Sequence, residues 1–203
     1  LLNIIMAMNM KKFAIYSILL AAGLVFLGKG FLAAGQDNFW TEAARGGMAE
    51  VMMAQTALQK TQNEEVRSYA QKMIDDHTST NDELKSLAAS KNVTLPADVS
   101  AKQKETMTKM SARTGTDFDR EYIKTQVKDH EKMVKLYQRQ SERGTDADAK
   151  AFAAKTLPTL QMHLQMARGL NDRLKNTGGD RNTNSNLNNS NRSTNSNTND
   201  NRR

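Results

Sequence analysis

From about residue 37 to residue 175, apolar residues return at alternating steps of four and three, the period of a helix with one buried face. The segment from about Asp37 to Thr61 places Trp40, Ala43, Gly47, Glu50, Ala54 and Ala57 on one stripe. A second, from about Glu64 to Lys91, aligns Val66, Ala70, Met73, His77, Leu84 and Ala88. A third, from Thr116 or Asp117 to about Arg143, aligns Ile123, Val127, His130, Val134 and Tyr137. The fourth runs to about Lys175 through Ala149, Ala153, Thr156, Leu160, His163, Ala167, Leu170 and Leu174. These stripes predict an all-α bundle of four long helices.

The breaks carry turn chemistry. Asn63 separates the first two helices, and Asn92 to Pro96 form a loop. Ser100 and Gln103 match a capping box at the start of a shorter helix, with Gly115 as its stop. Gly144 ends the third helix. Thr145 and Asp148 match a second capping box, and Pro158 predicts a kink inside the fourth helix. The short links favour antiparallel neighbours, whereas the long link between helices two and three allows a crossover.

Charge and composition alter the picture mainly at the ends. The chain carries 29 Lys+Arg against 22 Asp+Glu, but residues 36–175 hold 22 basic and 20 acidic residues and are nearly neutral. That balance, with 5% aromatic residues, argues against a nucleic-acid partner. The absence of Cys excludes disulfides, thiolate metal sites and cysteine nucleophiles. Met10-Lys11-Lys12, an apolar run from Phe13 to Leu27 and the small residues up to Gly35 read as a signal peptide over 1–35. An uncleaved anchor is the alternative reading of that segment, and residues 1–9 read as an over-extended start. Residues 176–203, rich in Asn, Ser and Thr, read as a disordered tail. Export to the periplasm or the outer membrane is therefore the expected location, with an envelope protein or the outer membrane as the expected partner. The oligomeric state is not encoded in these patterns.

The three histidines of the chain fall on the stripes of three different helices, and Glu50 falls on the stripe of the fourth. Counted from the expected helix starts, all four lie about 20–26 Å along helices of about 37–43 Å. Mid-height is one layer whatever the helix direction, so the four groups can meet inside the bundle. Imidazole and carboxylate together suit one divalent metal, Zn, Fe, Cu or Mn, held by Glu50, His77, His130 and His163. Gly46 and Gly47 would leave room beside Glu50. The competing reading is a buried polar layer whose members satisfy one another and only set helix register. Asp76 and Asp129 point about 100° off the stripes and read as solvated, or as orienting a loop or pairing with Lys. Tyr69, Tyr122 and Tyr137 read as packing or as hydrogen-bond partners of the layer. Met73, Met133 and Met166, three or four residues from a histidine, would suit Cu(I) but are also ordinary core fillers.

Several segments together carry a family resemblance. They are Phe39, Gly46-Gly47-Met48-Ala49-Glu50-Val51, Val66 through His77, and Leu95-Pro96. Phe118-Asp119-Arg120-Glu121-Tyr122 with His130, and Leu157-Pro158-Thr159-Leu160 with His163, complete the set. Over about Phe39 to Leu174 the chain resembles an exported bacterial ferritin-like family of unknown function, often labelled predicted outer membrane protein. The resemblance implies a ferritin-like four-helix bundle in the envelope and no known reaction.

Di-iron ferritin-like enzymes use a Glu three residues before each of two histidines. Here those positions are Ile74, Val127 and Leu160, so the di-iron ferroxidase motif is absent. No nucleophile and base pair or phosphate loop stands out, and no catalytic residue is assigned. The sequence thus predicts an exported binding module with a single metal site. The alternatives are a structural or stress-related interaction protein, and a redox or peroxide-handling enzyme using the bound metal.

Overall fold

The computed structural model describes the backbone of residues 34–190 and the side chains of residues 39–176. The expected signal peptide and tail lie outside these, apart from helical backbone at 34–35 and 176–190. Among the described residues the fold has four long helices and one short one: α1 (Ala34–Lys60), α2 (Glu64–Ser90), α3 (Ala101–Ser111), α4 (Gly115–Arg143) and α5 (Ala147–Ser190). The all-α class and the extra short helix in the long link are as the stripes predict.

Local chemistry sets the boundaries. Asn63 Oδ1 accepts from the backbone N–H of Glu65 at 2.9 Å and of Val66 at 3.2 Å, opening α2. Ser100 and Gln103 form the reciprocal capping box of α3. Two expectations are corrected. Gly115 does not stop the short helix, which ends at Ser111; with φ +55° it turns the chain into α4. The cap of α5 comes from Asp146, whose Oδ1 accepts from Ala149 N at 2.8 Å, where the spacing had pointed to Thr145. Asp148 is held instead by Lys91, 2.7 Å away. Pro158 sits inside α5 without ending it.

Contacts between helices give their directions. Glu83 pairs with Lys155 and Glu65 with Arg173, so α2 and α5 run antiparallel. Tyr69 meets Tyr122 while His77 meets His130, so α2 and α4 run parallel. Parallel neighbours need a connection as long as the bundle, and residues 91–114 with α3 provide it. Gln103 Nε2 donates to the Arg45 carbonyl at 3.1 Å, and Met110 is fully buried, so α3 is fastened along the bundle.

The apolar core is divided in two. At one end Phe39 packs edge-on against Trp40, Tyr137 and Phe152, with centroids 5.8, 5.3 and 6.5 Å away. At the other, Tyr69, Phe118 and Tyr122 pack with Met53, Met73 and Leu170. His77, His130 and His163 lie between the two clusters in chain order on α2, α4 and α5, whereas Glu50 on α1 lies at the edge of the second, between Ala49 and Met53.

Truncation of Phe39 to Ala should destabilise the bundle by about 3–5 kcal/mol, because its neighbours cannot close the void. Asn63→Ala should cost about 1 kcal/mol through loss of the cap. Urea denaturation followed by far-ultraviolet circular dichroism measures both. Equal losses would contradict the placement of Phe39 at the centre of the aromatic cluster.

Candidate metal centre

Each histidine occupies the buried face of its helix, as the four-three spacing requires. His77 on α2, His130 on α4 and His163 on α5 are 3%, 0% and 1% exposed. Their ring centroids lie 5.3–5.5 Å apart, and one nitrogen from each ring falls within 4.8 Å of the other two. Three helices thus deliver three imidazoles to one cross-section.

Two of the rings have a fixed tautomer. His130 Nδ1 lies 3.1 Å from the Gln126 carbonyl oxygen, which can only accept, so Nδ1 carries the proton. His163 Nε2 lies 2.7 Å from Asp76 Oδ2. Partial burial opposes ionisation of Asp76, but hydrogen bonds from Lys72 and His163 prevail and hold its carboxyl below the ordinary value. That carboxylate accepts, so His163 Nε2 donates. The remaining nitrogens, His130 Nε2 and His163 Nδ1, keep their lone pairs. Both are buried without a partner, and so is His77 Nε2. No imidazole hydrogen-bonds another, so the layer does not satisfy itself.

Burial keeps the rings uncharged. Desolvation, followed by repulsion from the other two imidazoles, pushes His77 well below its usual value of 6.5. Desolvation and His163 bring His130 down to about 3, and His163 is lowered by desolvation against the pull of Asp76. Neutral imidazoles with free lone pairs are the form that binds metal.

Glu50 lies inward in the same layer, 1% exposed, but its carboxylate is not within ligand distance of all three histidine nitrogens. Gln126 Nε2 donates to Glu50 Oε2 at 2.6 Å, and the Tyr69 hydroxyl donates to Gln126 Oε1 at 3.0 Å. Glu50 Oε1 is 3.8 Å from His130 Nδ1, the proton-bearing side of that ring. Desolvation and the Asp129 carboxylate push the Glu50 pKa up to about 8 despite the Gln126 bond. Glu50 therefore supports the His130 side of the layer from behind. The room expected at Gly46 and Gly47 is taken by protein: a Cβ at Gly46 would meet Met133 Sδ at 2.7 Å, and one at Gly47 would meet Asn81 Oδ1 at 1.9 Å.

Asp76 corrects the sequence reading. It is not simply solvated; it reaches across from α2 to orient His163 on α5. Its position just before His77 is a weak signal, because the partner lies 87 residues away. Gln126, buried and joined to both Glu50 and Tyr69, was missed; its place four residues before His130 was the available signal. Asp129 pairs with Lys132 at 3.2 Å, in line with a surface role.

A family model described as "Domain of unknown function (DUF4142)" matches residues 28–170. No curated protein matches the chain. Among solved structures, the chain is similar to the "putative secreted protein DUF305 from Streptomyces coelicolor", with 15% identity over 68% of this chain and 90% of that one and a TM-score of 0.59. It is also similar to a "DUF305 fragment from Deinococcus radiodurans", with 11% identity over 69% and 97% and a TM-score of 0.62. At these identities the likeness concerns the fold.

The protonation pattern predicts a stability profile for the metal-free protein. Between pH 6.5 and about 3 the unfolded chain takes up protons on the histidines that the folded chain refuses, so stability falls as pH drops. Glu50 acts the other way: between 4.5 and about 8 the folded chain keeps a proton the unfolded chain has released, so stability falls as pH rises. Three histidines outweigh one carboxyl below pH 6.5. The melting temperature of chelator-treated protein should therefore peak near pH 6.5, and Glu50→Gln should remove the decline toward pH 8. An unchanged alkaline decline in that variant would contradict the burial of an ionisable Glu50.

Proposed function

The chain belongs to the DUF4142 family of unknown function, and from that starting point we propose that it is an exported envelope protein that binds one divalent transition metal through His77, His130 and His163. The observation that carries the reading is three buried histidines from three helices, with one nitrogen of each within 4.8 Å of the others and with one buried nitrogen of each ring lacking a partner. Nitrogens bound to one tetrahedral zinc at about 2.0–2.1 Å lie about 3.3 Å apart, so a closure of at most about 1.5 Å per pair completes the set. The Asp76 to His163 contact has the form of a carboxylate that orients a metal-bound imidazole. The Gln126 carbonyl does the same for His130. A three-imidazole set leaves a further coordination position, which Glu50 or an outside ligand would approach. Three nitrogen donors suit zinc or copper(II) better than calcium or magnesium.

Export rests on the signal-like residues 1–35 and on the description of the Streptomyces coelicolor neighbour as secreted. The parallel α2 and α4 with one long crossover support a ferritin-like ancestry. Of the four carboxylates of a di-iron site only Glu50 is present at the layer, so the reading is metal binding without ferroxidase chemistry.

Elemental analysis of protein purified without a metal-affinity tag should find close to one equivalent of zinc or copper after reconstitution. His130→Ala should abolish it, and Asp76→Asn should weaken it about 10–100-fold. Less than a tenth of an equivalent of any transition metal in the reconstituted wild type would remove the proposal. A layer that only sets register would then remain.

A further inference from the structure

A cleft of about 670 Å³ runs between α1, α3 and α4, on the side of the bundle where Glu50 approaches the surface. Its size is that of a small-molecule site. Its charge sets it apart from the rest of the bundle. Eight lysines and arginines line it against four acids, one of them the buried Glu50. The other residues of 36–175 carry 14 basic and 16 acidic side chains, so the positive excess of the folded region is gathered here.

Lys109 and Lys132 pair with Glu105 and Asp129, but five of the eight cations are not neutralised. Arg45, Lys124, Lys128, Lys135 and Arg139 have no carboxylate partner among the described residues, whereas most other basic residues of the bundle are ion-paired. On α4, Lys124, Lys128 and Lys132 follow at i and i+4, and Lys135 and Arg139 continue the row. Like charges at this spacing destabilise a helix. Arg45 adds a separate observation: its Nε is sealed from solvent with no acceptor. A buried guanidinium N–H without a partner is costly unless an anion completes it.

The shape narrows the ligand. From Lys124 to Arg139 the cationic row extends about 22 Å along α4, which is long for a compact anion such as phosphate. Beneath it the wall is apolar, with Ala49, Met53, Met107 and Leu136. We propose that this cleft binds an amphiphilic anion, an alkyl chain ending in a carboxylate or phosphate, with the headgroup against Arg45 and the α4 lysines and the chain along Met53, Met107 and Leu136. Such a headgroup belongs to free fatty acids and to anionic lipids alike. The inference does not depend on metal at the histidine layer.

Calorimetric titration of the full chain, chelator-treated, with decanoate below its micelle concentration tests it. Decanoate should bind at one site, more weakly as salt rises. The Lys124→Glu, Lys128→Glu double variant should lose at least tenfold in affinity while keeping its melting temperature and metal content. Met107→Asp, on the half-buried face of α3, should also lose affinity. Decyltrimethylammonium of the same chain length should not compete. Three results would overturn the proposal: no decanoate binding, equal binding of the cationic surfactant, or an unaltered double variant. Phosphatidylglycerol vesicles distinguish the sources. Vesicle binding that free decanoate competes away supports a lipid-derived headgroup in the cleft. Vesicle binding without any decanoate binding overturns the cleft site and leaves a membrane-facing charge patch.

Discussion

The structure turns on the meeting of nitrogen lone pairs in a dry layer. His130 and His163 each spend one nitrogen on an anchor, the Gln126 carbonyl and the Asp76 carboxylate, and turn the other toward His77. None of the three buried nitrogens His77 Nε2, His130 Nε2 and His163 Nδ1 finds a hydrogen-bond partner in the protein. An apolar layer in the same place would be simpler and at least as stable. The unpartnered nitrogens held between two well-packed hydrophobic clusters are what the proposed metal would complete.

The surrounding architecture holds this layer still. The aromatic cluster around Phe39 packs on one side and that around Tyr69, Phe118 and Tyr122 on the other, and the three rings are at most 3% exposed. The long crossover matters as much. By making α2 and α4 parallel, it brings His77 and His130 to the same height while antiparallel α5 supplies His163. The carboxylate of Asp76, reaching from one helix to a ring on another, ties register to ring orientation.

Glu50 joins the two sites. It is bonded through Gln126 to the back of the layer, and it also borders the basic cleft between α1, α3 and α4. The inner site has neutral nitrogen donors in a dry place, whereas the cleft has cations at its edge over an apolar wall. These are different chemistries, matching the proposed metal ion and the proposed amphiphilic anion, with the buried Glu50 between them.

The stripes determined the four long helices and the inward aspect of all three histidines and Glu50, because a 3.6-residue period links spacing to face whatever the helices pack against, and the Ser100–Gln103 capping box marked the short extra helix. The shared height of the histidines was legible for the same reason, since rise per residue is constant. Only the tertiary structure decided which nitrogen of each ring faces the layer, because the Gln126 carbonyl and the Asp76 carboxylate that set this are fixed by neighbouring backbone and by a helix 87 residues distant. It also decided that Glu50 stands behind the histidines, held by Gln126, and that Gly115 opens a helix where its residue type alone suggested an end. Spacing along one helix specifies a face; the partner that a polar atom finds across that face depends on where the other helices are, and that is a property of the assembled bundle.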